Sequence, residues 1–163
     1  MKAVGNMLFH LTEMSSIWRN VLPTKAYCRS IGTLLNSALK DIIQSVTSIE
    51  EFSFKDCIHL QDILSSVIDA SYDLFRGLGD GESSVEVAVQ QYVASWMQFK
   101  ELLLFLGLSL CEVADRWADG KGPLAMYFTA QQVMRLVLAM FENTRKREAL
   151  LVQLRRKPSV HLL

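Results

Sequence analysis

Several groups of reactive side chains in this sequence invite a chemical reading. Gly77, Gly79 and Gly81 form a glycine-rich run, the kind that cradles phosphate when it follows a strand and opens a helix. No strand pattern precedes this run, its spacing is incomplete, and the acids nearby would repel an anion. Asp80 and Glu82 lack the regular oxygen-ligand spacing of a calcium loop. Cys57 and His59 would make a thiol–imidazole pair for nucleophilic catalysis, but two steps along a helix they point about 200° apart. His10 and His161 have neither an acid nor a nucleophile beside them in sequence. These residues do not compose an active site, and the chain reads as a non-enzyme without cofactor or metal.

Binding chemistry is better represented. Asp115 and Asp119 lie four apart on one helix face, in the last turns, where mutual repulsion and the helix dipole both disfavour acids. Either Arg116 and Lys121 neutralise them, or a neighbouring helix or a partner chain does. Arg147 interrupts an apolar stripe, so it either snorkels along that surface or meets an acid, for example from the third helix. Arg145 and Lys146 beside it make the start of that segment basic. Trp96, with Met97 and Phe99, suits a packed core, but tryptophan beside methionine is also typical of an interface anchor. Trp96, Asp115, Arg116, Asp119, Lys121, Arg145, Lys146 and Arg147 are therefore the candidate partner-binding residues.

The elements that position them read as helices almost throughout. Val4, Leu8, Leu11, Met14, Trp18 and Val21 recur at helical steps until Pro23, which ends a first helix at or before Leu22. The pattern begins at Met1 with no cap before it, as in a helix cut from a longer rod or a chain entering from a preceding domain. A second helix, capped by Thr24, carries Tyr27, Ile31, Leu34, Leu35, Ala38, Ile42, Val46 and Ile49 on one stripe. Gly32 within that stripe costs about 1 kcal/mol relative to alanine, which the close approach of another helix would offset. Ser53 and Asp56 form a capping-box pattern opening a third helix with an acidic outer face.

A loop runs from Gly77 to Ser84, and residues 85–98 admit both an extended and a helical reading. A fourth helix, capped by Ser95, is apolar on nearly every side over residues 102–110 and ends at Trp117. Gly120 is suited to a left-handed stop, and Pro123 prevents immediate resumption. A last helix, capped by Thr129, turns Val133, Leu136, Met140, Thr144, Leu151 and Leu154 inward and ends at Pro158. The expectation is an all-α antiparallel bundle of about five long helices in one domain. Residues 1–76 make a first layer, 77–94 a connection and 95–163 a second layer.

Composition narrows the function classes. The 163 residues are 50% hydrophobic with zero formal net charge, which implies a large core, apolar surface kept for a partner, or both. Residues 41–86 hold ten acids against Lys55 and Arg76, a net of −8, whereas residues 142–157 carry +4. No aromatic residues interleave with the terminal basic ones, as nucleic-acid stacking would require, and basic residues suit a helix C-terminus. The longest apolar run, residues 102–111, is about half a membrane span, and the first twenty residues are not a signal peptide. Cys28, Cys57 and Cys111 are widely spaced, consistent with three buried thiols in a reducing cytosol, so the chain reads as soluble.

One motif goes further. The run Ala114-Asp115-Arg116-Trp117-Ala118-Asp119-Gly120-Lys121-Gly122-Pro123-Leu124-Ala125 resembles the C-terminal helical domain of the Zeste-White-ten family. Val21-Leu22-Pro23, Tyr27-Cys28, residues 32–36, Trp96-Met97, residues 99–102, Phe141 and Asn143-Thr144 are similar to the same family in the same order, over residues 15–150. Residues 51–84 and 158–163 depart from it, and Ala94 and Gln98 stand where the family pattern has prolines.

The resemblance implies the C-terminal part of a helical-rod tethering fold, like those of exocyst and Dsl-type subunits, and a chain that is either a fragment or a short isoform. It implies a scaffold that docks an α-solenoid subunit, the Rough-Deal-type protein at kinetochores or the neuroblastoma-amplified type at the endoplasmic reticulum. The kinetochore assembly serves the spindle checkpoint and recruits dynein–dynactin. The reticulum assembly serves Golgi-to-ER vesicle tethering with SNARE proteins. The implied location is the cytoplasm, with kinetochore and spindle in mitosis and the reticulum surface in interphase. The alternative from the residues is a module that binds anionic membranes peripherally through its basic terminal helix.

Overall fold

Residues 2–78 and 82–155 are described by a computed structural model. Among them there are nine α-helices and no strand. Three long helices come first: α1 (Lys2–Val21), α2 (Thr24–Thr47) and α3 (Phe54–Phe75). Six shorter ones follow: α4 (Glu82–Tyr92), α5 (Trp96–Phe105), α6 (Leu110–Trp117), α7 (Pro123–Tyr127), α8 (Ala130–Met140) and α9 (Arg145–Arg155). The all-α class expected from periodicity is observed. No helix among the described residues is long and apolar enough to cross a membrane.

α2 runs antiparallel to both α1 and α3, and one polar knot ties the three. The Tyr27 hydroxyl, in a side chain 1% exposed, donates to the Leu74 carbonyl at 2.7 Å and accepts from Ser15 at 2.6 Å. Arg19 Nε reaches the same oxygen at 3.2 Å, and its terminal nitrogens donate to the carbonyls of Asp73, Leu74 and Arg76. A guanidinium from α1 thus serves the orphan carbonyls that end α3, with the charge sign that end prefers. α3 opens with the expected capping box between Ser53 and Asp56.

α4 lies against α2 and α3. Its helical state settles residues 85–92: Val89 is buried while Val87 faces solvent, a helical rather than an alternating pattern. The chain then turns at residues 93–95 into α5. The helix-against-helix approach expected at Gly32 is present, because a Cβ there would lie 2.7 Å from Tyr92 Cβ and 2.8 Å from its carbonyl oxygen. Gly32→Ala should therefore destabilise despite its better helix propensity, by about 1–3 kcal/mol, measurable as a lower urea midpoint. An unchanged or raised midpoint would show that the two helices separate freely.

Several local expectations change. Thr24 is the first helical residue of α2, and Pro23 occupies the cap without a side-chain bond. Ser95 makes no side-chain cap; instead its N–H donates to Asn36 Oδ1 at 2.8 Å, joining α5 to α2. The expected fourth helix is two helices, because after Gly107 the Ser109 hydroxyl and Glu112 carboxylate form a new capping box for α6. That restart turns Val113 and Trp117 inward and leaves Cys111 exposed, whereas Cys28 and Cys57 are buried.

The last helix is likewise interrupted. Phe141 leaves helical geometry, and Thr144, expected inward, is exposed and caps α9 by accepting from the Arg147 N–H at 3.2 Å. Thr129 caps α8 as expected, in a full box with Gln132. Pro123 does not merely stop a helix; it is the first residue of α7, where its missing N–H costs nothing. The expected end at Pro158 lies outside the described residues, as does part of the glycine-rich loop.

The buried side chains form one cluster from Leu11 to Leu154, drawing on both halves of the chain. Tyr27, Phe75, Trp96, Phe99, Phe105 and Leu136 are among its largest members. The α2–α3 turn is joined to α8 by a backbone bond from the Phe52 N–H to the Ala139 carbonyl at 2.9 Å.

Candidate partner-binding site

Of the eight candidate residues, Trp96 is placed in the core. It is fully buried, meets the Tyr72 ring edge-on at 5.5 Å, and donates from Nε1 to Glu86 Oε1 at 3.0 Å. Glu86 is the centre of that corner. Its carboxylate also accepts from the Tyr72 hydroxyl, from Gln90 at 2.8 Å and from Lys100 at 3.0 Å. Three helices, α3, α4 and α5, are thereby fixed to one side chain.

Burial alone would raise the Glu86 carboxyl, but hydrogen bonds from Tyr72, Gln90, Lys100 and Trp96 outweigh it and hold it at about 2. Burial and the bond to Glu86 push the Tyr72 phenol up to about 12. Because the Glu86 value is depressed on folding, its contribution is present above the ordinary value of 4.5 and is lost as pH falls toward 2. It amounts to about 3 kcal/mol. Glu86→Gln should be less stable than the parent chain at pH 7, with a difference that shrinks from pH 5 downward. Urea titrations of both chains across that range test this, and a pH-independent difference would contradict it.

Arg116 does not neutralise Asp115 and Asp119. Its guanidinium makes a two-pronged pair with Glu101 of α5, Nε to Oε1 at 2.9 Å and Nη2 to Oε2 at 2.8 Å. The Glu101 side chain is only 9% exposed. Asp119 accepts instead from Gln153 Nε2 of α9 at 2.9 Å, while Asp115 and Lys121 are exposed. Between Trp117 and Gly122 the backbone is unusual: Ala118, Asp119 and Gly120 all have positive φ, at 45°, 52° and 84°. A Cβ on Gly122 would stand 2.0 Å from the Arg116 carbonyl oxygen, so this tight reversal admits only glycine there. The reversal carries Asp119 away from its own helix and against α9.

Arg147 neither snorkels nor meets an acid of α3. Its side chain is 13% exposed, and Nη1 donates at 2.8 Å to the Phe141 carbonyl just past the end of α8. Nη2 lies 3.8 Å from Glu148. Arg145 and Lys146 are exposed at the start of α9, whose Leu150, Leu151 and Leu154 are buried. That helix thus turns three leucines to the core and presents charge outward. Asp115, Asp119, Lys121, Arg145 and Lys146 are the exposed members of the candidate set, on or beside α6 and α9, which pack together.

Burial pushes the Cys57 and Cys28 thiols above their ordinary value, the reverse of an activated thiolate, and His59 is exposed. Among the described residues no group of histidine, cysteine and carboxylate side chains could hold a metal ion.

Sequence reasoning missed Arg19, Glu86 and Glu101, the groups that take up the charges and hydroxyls around them. Only Glu101 carried a signal, as the acid that borders the apolar run beginning at Leu102.

Residues 2–154 match the family model described as the ZW10 C-terminal helical domain. The mouse centromere/kinetochore protein zw10 homolog is 39% identical over 156 residues, covering 94% of this chain and 20% of the mouse protein. The Drosophila melanogaster centromere/kinetochore protein zw10 is 28% identical over 154 residues, with the same coverage. The Caenorhabditis elegans homolog is 21% identical, over 94% of this chain and 19% of its own length. The chain therefore spans about a fifth of the length of these relatives. Its signature run is now physically intelligible: Trp117 is buried, Arg116 holds Glu101, Gly120 takes positive φ, Gly122 has no room for a side chain and Pro123 starts α7. The chain belongs to the ZW10 C-terminal helical domain family.

Proposed function

We propose that this chain is a non-enzymatic scaffold that docks an α-solenoid subunit within a kinetochore assembly. The observation that carries this reading is the match of residues 2–154 to the family, together with relatives named as centromere/kinetochore proteins. The side-chain chemistry supports it, since the charged groups around Glu86, Glu101 and Arg19 are spent on holding helices together. Apolar side chains remain outside, including Ile17 and Val21 on α1 and Met126 on α7. The solenoid is a Rough-Deal-type protein at kinetochores, in an assembly that serves the spindle checkpoint and dynein–dynactin recruitment. In interphase a neuroblastoma-amplified-type solenoid takes its place at the endoplasmic reticulum, for Golgi-to-ER tethering with SNARE proteins.

Affinity capture with the tagged chain tests both settings. Mitotic extract is expected to yield the Rough-Deal-type subunit and interphase extract the neuroblastoma-amplified type. Recovery of neither by the folded chain would overturn the proposal. Membrane binding is separated by flotation with anionic liposomes at low and high salt, in which the chain is expected to stay unbound.

A further inference from the structure

An apolar groove of about 510 Å³ lies between the N-terminal end of α1 and the faces of α2 and α3. Ala3, Val4 and Met7 form one wall, and Leu60, Ile63 and Leu64 of α3 form the other. The floor is a single face of α2, in which Ala38, Asp41, Ile42, Ser45, Val46 and Ile49 follow one another at three- and four-residue steps. From Ala38 to Ile49 that face is about 16 Å long, or three turns of helix. A second hollow, of about 280 Å³, continues the groove past the α2–α3 turn and shares Ile49, Leu60 and Ile63 with it.

The fixed charge lining the groove is acidic. Across both hollows the charged side chains are Asp41, Glu51 and Asp56, with His59 beside them, and among the described residues no lysine or arginine lines either one. Lys40 and Lys55, on the same helices, are exposed and line neither hollow. An apolar trough of helical length, flanked by carboxylates of one sign, is complementary to an amphipathic helix with an apolar face and cationic flanks. We propose that this groove is a docking site for a basic amphipathic helix of a partner protein, which would complete a four-helix arrangement with α1, α2 and α3. The groove's chemistry holds whether or not a solenoid subunit docks elsewhere on the chain.

The test uses the whole chain and two fluorescein-labelled peptides of about 16 residues. Both carry leucine at helical spacing on one face; one has lysine on its flanks and the other glutamate. In anisotropy titrations the lysine peptide should bind saturably, weaken with added salt, and bind about tenfold more tightly than the glutamate peptide. Asp41→Lys/Glu51→Lys changes two exposed positions, so the fold should survive, and should reverse that preference. Ala3→Trp should fill the groove and abolish binding, with circular dichroism and urea midpoints confirming that each variant is folded. Absence of saturable binding, equal binding of the two peptides, or an unchanged preference in the double variant would overturn the proposal. So would a dimer in sedimentation equilibrium that Ala3→Trp abolishes, since the occupant would then be a second copy of the chain.

Discussion

Trp96→Ala should be the most destabilising single truncation of a core side chain, at about 3–5 kcal/mol. The side chain is fully buried between α3, α4 and α5, so its loss opens a cavity that the surrounding helices cannot fill. It also removes one of the donors that keep Glu86 ionised. Against a total stability of about 5–15 kcal/mol for a domain of this kind, the variant should melt roughly 10 °C lower or populate unfolded forms at ambient temperature. Trp96→Phe retains an aromatic ring and loses the N–H, so it should cost much less. Thermal melts by circular dichroism separate these outcomes. If Trp96→Ala melted like the parent chain, Trp96 would have to be a surface anchor rather than a core residue.

Arg116→Ala should be strongly damaging for a surface-reaching charged residue, at about 3 kcal/mol, because it strands the Glu101 carboxylate in a nearly closed site. Glu101→Gln should cost less, about 1–2 kcal/mol, since Arg116 keeps 31% of its side-chain surface and can turn its charge to water. Glu101→Leu/Arg116→Leu should recover much of the loss, as apolar replacement of both partners of a buried pair commonly does. Urea unfolding of the parent chain, Glu101→Leu, Arg116→Leu and the double variant measures the coupling. Additive losses, with no recovery in the double variant, would mean that the pair contributes nothing as a pair.

The parts of this fold that were legible in the sequence are those governed by local rules. Periodicity placed α1, α2 and α3 to within a residue or two, because each is long, amphipathic and bounded by Pro23 or the Ser53 box. Gly32 was readable as a close approach because nothing else offsets a glycine inside a stripe. The breaks were not legible. Ser109 and Glu112 have the same capping spacing as Ser53 and Asp56, but an apolar run before them reads as one uninterrupted helix. At Thr144 the stripe continues in register through Leu151, so a restart looks like continuation.

Charged partners were the least readable, since pairing is set by distance in space. Arg116 had two acids close by in sequence and took a third, Glu101, fifteen residues away. Arg147 found a backbone carbonyl. Of the candidate binding residues, Trp96, Arg116 and Arg147 hold the domain together, and Asp119 bonds to Gln153. Asp115, Lys121, Arg145 and Lys146 are exposed.

This division between inward and outward residues is what the proposed scaffold reading builds on: Glu86, Glu101, Arg116 and Arg19 brace the helices, and under that proposal the exposed side chains are the surface offered to another chain. The most direct measurement is to mix the purified chain with a purified Rough-Deal-type solenoid subunit and follow both by size-exclusion chromatography with light scattering. Co-elution as a defined stoichiometric complex, retained by a chain that melts as a folded domain, is the predicted result. Two independent peaks at concentrations well above the micromolar range, with the chain shown to be folded, would contradict it.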